Sequence, residues 1–207
     1  MGPSSSEPKI IAYIVRHGET LLNAQKAFRG PLDPPLDENG LKDAHEIADF
    51  FKDIDLGDAY SSDKQRAETT ARAVLQPKGM QFESDPNLRA WNVGYLAGQP
   101  KSEHQDDISY FQRHPDEQIP NGESLNQFRQ RVHPSILKAL QSGISTGKPS
   151  IVFAHSSICK EVGNMLHGDH NAGNVKPGGI LQVVKDENGF KVHPVLKGKE
   201  GKQGYGQ

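Results

Sequence analysis

Three short stretches carry residues suited to phosphate chemistry, and each follows a run that reads as a strand. Ile10–Val15 is a continuous apolar run that stops at Arg16-His17-Gly18-Glu19. The stretch "LGDAYSS" leads into Asp63-Lys64-Gln65-Arg66, and "PSIVFA" leads into His155-Ser156-Ser157. An arginine offers a planar fork of donors that matches the oxygens of a phosphate dianion. A neutral imidazole can attack phosphorus and form a phosphohistidine. Neighbouring arginines would favour that neutral form by disfavouring imidazolium, and would stabilise the equatorial oxygens of the transition state. His17 is thus a candidate nucleophile, with no metal required. A lone histidine or arginine at a strand end is usually a polar cap or a surface residue. Placement at several strand ends is what makes the set informative.

These residues have to be brought together by the elements around them. Ile10–Val15 has the continuous apolar character of a strand buried on both faces. The segment "ENGLKDAHEIADFF" spaces Leu41, Ala44, Ile47, Ala48 and Phe51 as one helical face. "DKQRAETTARAVL" reads as a helix capped by Asp63. "SLNQFRQRVHPSILKALQ" reads as a helix with Leu125, Phe128, Val132, Ile136 and Leu140 inward, kinked or divided at Pro134. "SSICKEVGNMLHG" follows the next strand with Gly168 as its stop signal. "ILQVV" and "FKVHPVL" form a hairpin through Asn188-Gly189. Strands alternating with helices predict a three-layer α/β/α sandwich with a mostly parallel central sheet. Ligands in such folds sit beyond the carboxyl ends of strands, which puts the three polar stretches at one rim. Ser156 and Ser157 would open a helix there, and their backbone N–H groups suit an anion. Arg16 and His17 could not share a pocket if the strand ran on, so Gly18 is read as the break.

The bulk numbers are compatible with one domain. The chain has 207 residues, 24 basic and 26 acidic, for a formal charge of −2. That balance gives no reason to expect nucleic acid or a membrane surface as partner. No apolar run approaches the ~20 residues of a membrane span. The single cysteine, Cys159, excludes an intramolecular disulfide framework, fits a reducing compartment and so a cytoplasmic location, and reads as buried and inert. Residues 1–9 read as a disordered leader, 10–196 as the domain and 197–207 as a disordered, glycine-rich tail.

Taken in order, "RHGET", "FRGPLDPPLDENG", "YSSDKQRAETTA", "PNGES" and "VFAHSS" resemble the histidine phosphatase superfamily, its phosphoglycerate mutase-like branch, over roughly residues 10 to 185. The resemblance implies His17 as the phosphorylated nucleophile and Arg16, Arg66 and His155 as phosphate-binding residues. It places Asn23 and Arg29 near the pocket mouth, and implies no cofactor. The substrate it implies is a small-molecule phosphate ester, cleaved by a phosphomonoester hydrolase. Mutase-type phosphoryl transfer is the alternative. The oligomeric state is left open.

One position departs from the family. Many members carry Leu-x-Glu-x-x-x-Gly, with the glutamate as general acid. Here the run is "LRAWNVG", so Ala90 stands where that glutamate would be, between Leu88 and Gly94. An acid elsewhere, a substituted position, or a phospholigand binder with weak or no turnover would each account for it. Glu123 is the leading replacement acid, with helix capping as its plainer role; Glu19 is second. Trp91 and Tyr95 read as packing residues or pocket lining, and the polar stretch 102–118 as a cover over the rim. His167 and His170, near a helix end, lack the further ligands that metal binding needs.

Overall fold

The computed structural model describes residues 7–199; most of the expected leader and tail lies outside them. A six-stranded sheet has the order β3-β2-β4-β1-β5-β6. Its strands are β1 (Lys9–Arg16), β2 (Ala59–Ser61), β3 (Glu83–Ser84), β4 (Ser150–Ala154), β5 (Ile180–Asp186) and β6 (Gly189–Leu196). β3, β2, β4 and β1 run parallel, while β5 is antiparallel to β1 and to β6. The α/β fold with a mostly parallel sheet is the one expected. β1 and β4 are central and buried on both faces, which is why their sequences are unbroken apolar runs.

Helices α2 (Glu38–Phe51) and α3 (Gln65–Leu75) supply Ile47, Phe51, Ala71 and Val74 to one core, against Tyr13, Val15 and Phe153. Helices α5 (Leu125–Thr146) and α6 (Ser156–His167) supply Phe128, Ile136, Ile158 and Val162 to the other, against Ile14 and Val152. A one-turn helix α1 (Leu21–Ala24) follows β1, and α4 (Gln105–Arg113) lies within the polar stretch, with Ile108 and Phe111 buried.

Several local expectations need correction. Leu41 is 48% exposed, on the outer face of α2. α5 is not divided at Pro134; it remains one helix from Leu125 to Thr146. The residues on either side, Val132, Ile136 and Ala139, are fully buried, and their burial outweighs the ~3 kcal/mol a mid-helix proline costs. Asp63 does not cap α3. Its carboxylate takes two bonds from Arg89, and Asp33, from a distant loop, accepts the Gln65 N–H at 2.9 Å. In the β5–β6 hairpin, Asp186 pairs with Gly189, so Glu187 and Asn188 form the loop. Asn188 is not among the positive-φ residues, whereas Gly189 sits at φ 118°. The turn is therefore not the primed type that Asn-Gly suggests, and the glycine relieves the chain one residue later.

The β6 edge is covered where the Val192 N–H donates to His167 Nε2 at 2.8 Å. That gives His167 a structural place. Among the described residues no cluster has the make-up of a metal site, and no helix is long and apolar enough to cross a membrane.

Candidate active site

The first histidine is fixed by the way β1 ends. The His17 N–H donates to Ala154 O at 3.1 Å, and His17 O accepts from Gly178 N at 3.0 Å. A Cβ on Gly18 would stand 2.4 Å from Gly40 O, and one on Gly40 would stand 2.0 Å from Glu19 O. Both glycines are required by the close approach of β1's end to the first turn of α2. Gly18 has no positive φ, so proximity and not backbone freedom explains it.

His17 is fully buried, and its Nδ1 lies 2.6 Å from Gly18 O. A carbonyl only accepts, so Nδ1 carries the hydrogen and Nε2 keeps its lone pair. Arg66 Nε donates to that Nε2 at a long 3.3 Å, a bond weak enough to exchange. Burial first, then the charges of Arg66, Arg29 and Arg16, hold the His17 pKa well below its ordinary value. The imidazole is therefore neutral at physiological pH, as a nucleophile must be.

His155 ends β4 and begins α6. Its ring centroid lies 5.3 Å from that of His17, and its Nε2 is 2.8 Å from Ser62 Oγ, at the end of β2. Burial, followed by Arg66, also lowers its pKa well below the usual value. Arg66 is fully buried, with Nη1 donating to Leu32 O at 2.7 Å. Desolvation pushes its pKa down to about 10, which leaves it charged at neutral pH. Arg66 Nη2 and His155 Nδ1 are buried and have no hydrogen-bond partner among the described residues. Such atoms in a native fold call for an explanation, and an anion is one. Arg16 Nη1 donates to Val175 O at 2.6 Å; its charge still acts on both histidines and on Arg66.

Arg66 and His155 border a cavity of about 150 Å³ whose wall also includes Arg29, Ala90, Lys101 and Lys160; His17 lies behind that wall, and Arg16 lines a separate cavity with Val175 and Lys176. Ser156 and Ser157, the first residues of α6, also reach the cavity beside His155, so the positive end of a helix faces the anion site. Ile108 and Gln112 of α4 form part of the wall, which agrees with the expectation that this stretch covers the rim. Trp91 both lines the cavity and packs, with Nε1 donating to Glu123 O at 3.1 Å. Tyr95 is 42% exposed and is not in the wall.

His17, His155 and Arg66 lie together, with Arg29 and Arg16 near enough for their charges to act on both histidines, although Arg16 turns its guanidinium to Val175 and is outside the cavity wall. Two expected site residues do not join them. Asn23 Oδ1 accepts from the backbone N and the hydroxyl of Thr20, closing the capping box of α1, and Asn23 is absent from the cavity wall. Glu123 needs a larger correction. Arg131 donates to both of its oxygens, and the Asn92 N–H donates to Oε1 at 2.9 Å. A general acid must aim a proton at the leaving oxygen, and this carboxylate faces a guanidinium instead. The plainer reading fails as well, because Ser124 and not Glu123 caps α5. Glu19 is buried, accepts from Asn39 Nδ2 at 3.1 Å and is also absent from the wall. No aspartate or glutamate lines this cavity among the described residues.

Sequence reasoning missed three supporting residues. Ser62 meets His155; Thr70 Oγ1 accepts the Gly18 N–H; and Arg131 donates to the carbonyls of Asn87, Arg89 and Ala90, so holding the Ala90 segment. A lone serine, threonine or arginine has no spacing signal that could have revealed these roles. Cys159 is buried, and desolvation pushes its pKa up to about 12, which makes it a poor thiolate.

A model of the histidine phosphatase superfamily (branch 1) matches residues 12–190. A probable phosphoglycerate mutase of Yersinia pestis, GpmB, is 30% identical over 148 residues, covering 69% of this chain and 68% of that one. Phosphoglycerate mutase from Thermus thermophilus superposes with a TM-score of 0.67 at 27% identity, over 92% of this chain and 99% of the other. A mycobacterial glucosyl-3-phosphoglycerate phosphatase solved with VO3 shares the fold, with a TM-score of 0.72 at 20% identity over 91% and 98%.

Proposed function

This chain belongs to the histidine phosphatase superfamily, branch 1, and on that premise we propose that it is a metal-independent phosphomonoester hydrolase acting through a phosphohistidine at His17. The observation that carries the reading is the pair of buried, unpartnered atoms, Arg66 Nη2 and His155 Nδ1, beside a neutral His17 whose Nε2 accepts a long bond from Arg66 Nε. In the first step Nε2 attacks phosphorus and the leaving oxygen departs. Arg66, Arg16 and His155 hold the equatorial oxygens, assisted by the N–H groups opening α6. In the second step water attacks the phosphohistidine and releases phosphate. Arg29, in the cavity wall, meets the rest of a small phosphorylated metabolite.

A His17→Ala variant will release no p-nitrophenol from p-nitrophenyl phosphate, and wild type quenched in alkaline detergent will carry a base-stable, acid-labile phosphoryl group that the variant lacks. Unchanged turnover in the variant would refute the proposal. A second reading, phosphoryl transfer between positions of phosphoglycerate, is supported by the names of the relatives above. Measuring phosphoglycerate interconversion beside phosphate release separates the two readings. A binder without turnover would be stabilised by phosphate against heat and would release none.

A further inference from the structure

A hydrolase whose cavity lacks a carboxylate still has to serve the leaving oxygen. Ala90 lines the wall where a glutamate would stand, and Glu123 is bound to Arg131. A second cavity, of about 550 Å³, adjoins the first and shares Trp91, Gln112, Ser157 and Lys160 with it. On the hydrolase reading the first cavity takes the phosphoryl group, and the second offers room for the part of an ester that extends past Arg29, which places the shared wall between the two. The second cavity does contain carboxylates, Glu161 and Asp169. Glu161 Oε1 already accepts from Arg129 and Asn164 and meets His133, and Asp169 Oδ1 accepts the Asn171 N–H. Neither reaches the first cavity.

Of the shared residues, only Lys160 carries an ionisable proton, and its ammonium makes no hydrogen bond or ion pair among the described residues. Lys101, the other lysine of the first cavity, lies over the Phe28 ring at 6.0 Å and does not reach the second. Ser156, Ser157 and Lys160 share one face of α6 by their helical spacing, so the residues beside the phosphoryl oxygens and the lysine point the same way.

We propose that Lys160 is a further catalytic residue, the proton donor to the leaving oxygen; this rests on the hydrolase reading above. As the P–O bond breaks, its electron pair passes to the leaving oxygen, which takes a proton from Lys160 Nζ while P–Nε2 forms at His17. In the second step water forms the new P–O bond, the P–Nε2 pair returns to Nε2, and the neutral Lys160 amine takes the water proton. The cycle restores every group. The side chain as a whole is exposed, yet lost hydration on its inner side, followed by the charge of Arg16, lowers its pKa. A more loosely held proton suits a general acid.

The test compares p-nitrophenyl phosphate, whose leaving oxygen barely needs a proton, with 2-phosphoglycerol, whose leaving oxygen does. Lys160→Met will lower kcat/KM for 2-phosphoglycerol about 10²-fold and that for the aryl ester less than about threefold. Lys160→Arg keeps the charge but holds its proton too tightly, so it will resemble Lys160→Met. Equal losses on both esters, no loss on either, full recovery in Lys160→Arg, or transfer of the selective loss to Lys101→Met would each overturn the assignment. Trapping phosphohistidine from p-nitrophenyl phosphate in wild type keeps the two claims apart. If none forms, the hydrolase reading has failed; if it forms, the ester comparison judges Lys160 alone.

Discussion

On the proposed mechanism, the phosphoryl side of the cavity and its leaving-group side are built by different means. His17, Arg66 and His155 are almost wholly buried, and each is positioned by a strand end or by the helix that follows one. Their backbones are tied into the sheet, as the bonds His17 N to Ala154 O and Ser62 N to Phe153 O illustrate. Apart from Lys160 on α6, the leaving-group side takes in the irregular chain around Ala90. That chain is held mainly through its carbonyls by Arg131, whichever side chains those residues carry. Residues embedded in the core can change only with the packing around them. A residue on a braced loop can change its chemistry while the loop keeps its shape. On that mechanism, the difference explains how alanine can stand where many family members carry glutamate without disturbing the phosphate end.

The strongest way to break this comparison is to damage the phosphoryl side. Arg66→Met removes the guanidinium that faces His17 Nε2. Loss of a preorganised donor to a developing oxyanion costs ~10²–10³ in kcat. Because that donor acts on the phosphoryl oxygens, the loss should be similar for aryl and alkyl esters. Steady-state kinetics on p-nitrophenyl phosphate and 2-phosphoglycerol measure it. A loss confined to one ester would mean that Arg66 belongs to the leaving-group side.

A smaller and opposite effect is expected from Ala90→Glu, which sharpens the comparison. A carboxylic acid is a stronger proton donor than an ammonium, so alkyl esters should gain roughly tenfold and aryl esters less than about threefold. The gain should persist in the Lys160→Met background. An equal rise on both esters would indicate altered binding and no new acid.

The same division governs what the sequence discloses. β1 and β4 are legible because a strand buried on both faces needs an unbroken apolar run, and the polar residue ending each run stands out. That contrast locates His17 and His155. Asp63, Asn23 and Glu123 mislead for one shared reason: a carboxylate or amide in a loop has a type and a neighbourhood but no readable direction. Glu123 is turned aside by Arg131, and Asp63 by Arg89. Arg131 is eight residues from Glu123 and Arg89 is 26 from Asp63. Only the fold brings those partners together. β3, with two residues, is too short for any periodicity to register. Gly18 is marked correctly as special, but its reason, contact with Gly40, belongs to tertiary packing.

The smallest expected effect tests the corrected role of Glu123. Glu123→Gln keeps an acceptor near the Asn92 N–H but removes the charge that meets Arg131. The pair is partly exposed, at 24% and 16%, so solvent screening limits the stability lost to ~1 kcal/mol. Arg131 retains its bonds to three backbone carbonyls, so the Ala90 segment should stay in place. Kinetics on alkyl esters should change by less than about threefold, far below the ~10²–10⁴ that a general acid contributes. Denaturant melts and ester kinetics on one preparation decide the matter. A large, alkyl-selective loss at unchanged stability would return the acid to Glu123 and remove the reason to look to Lys160.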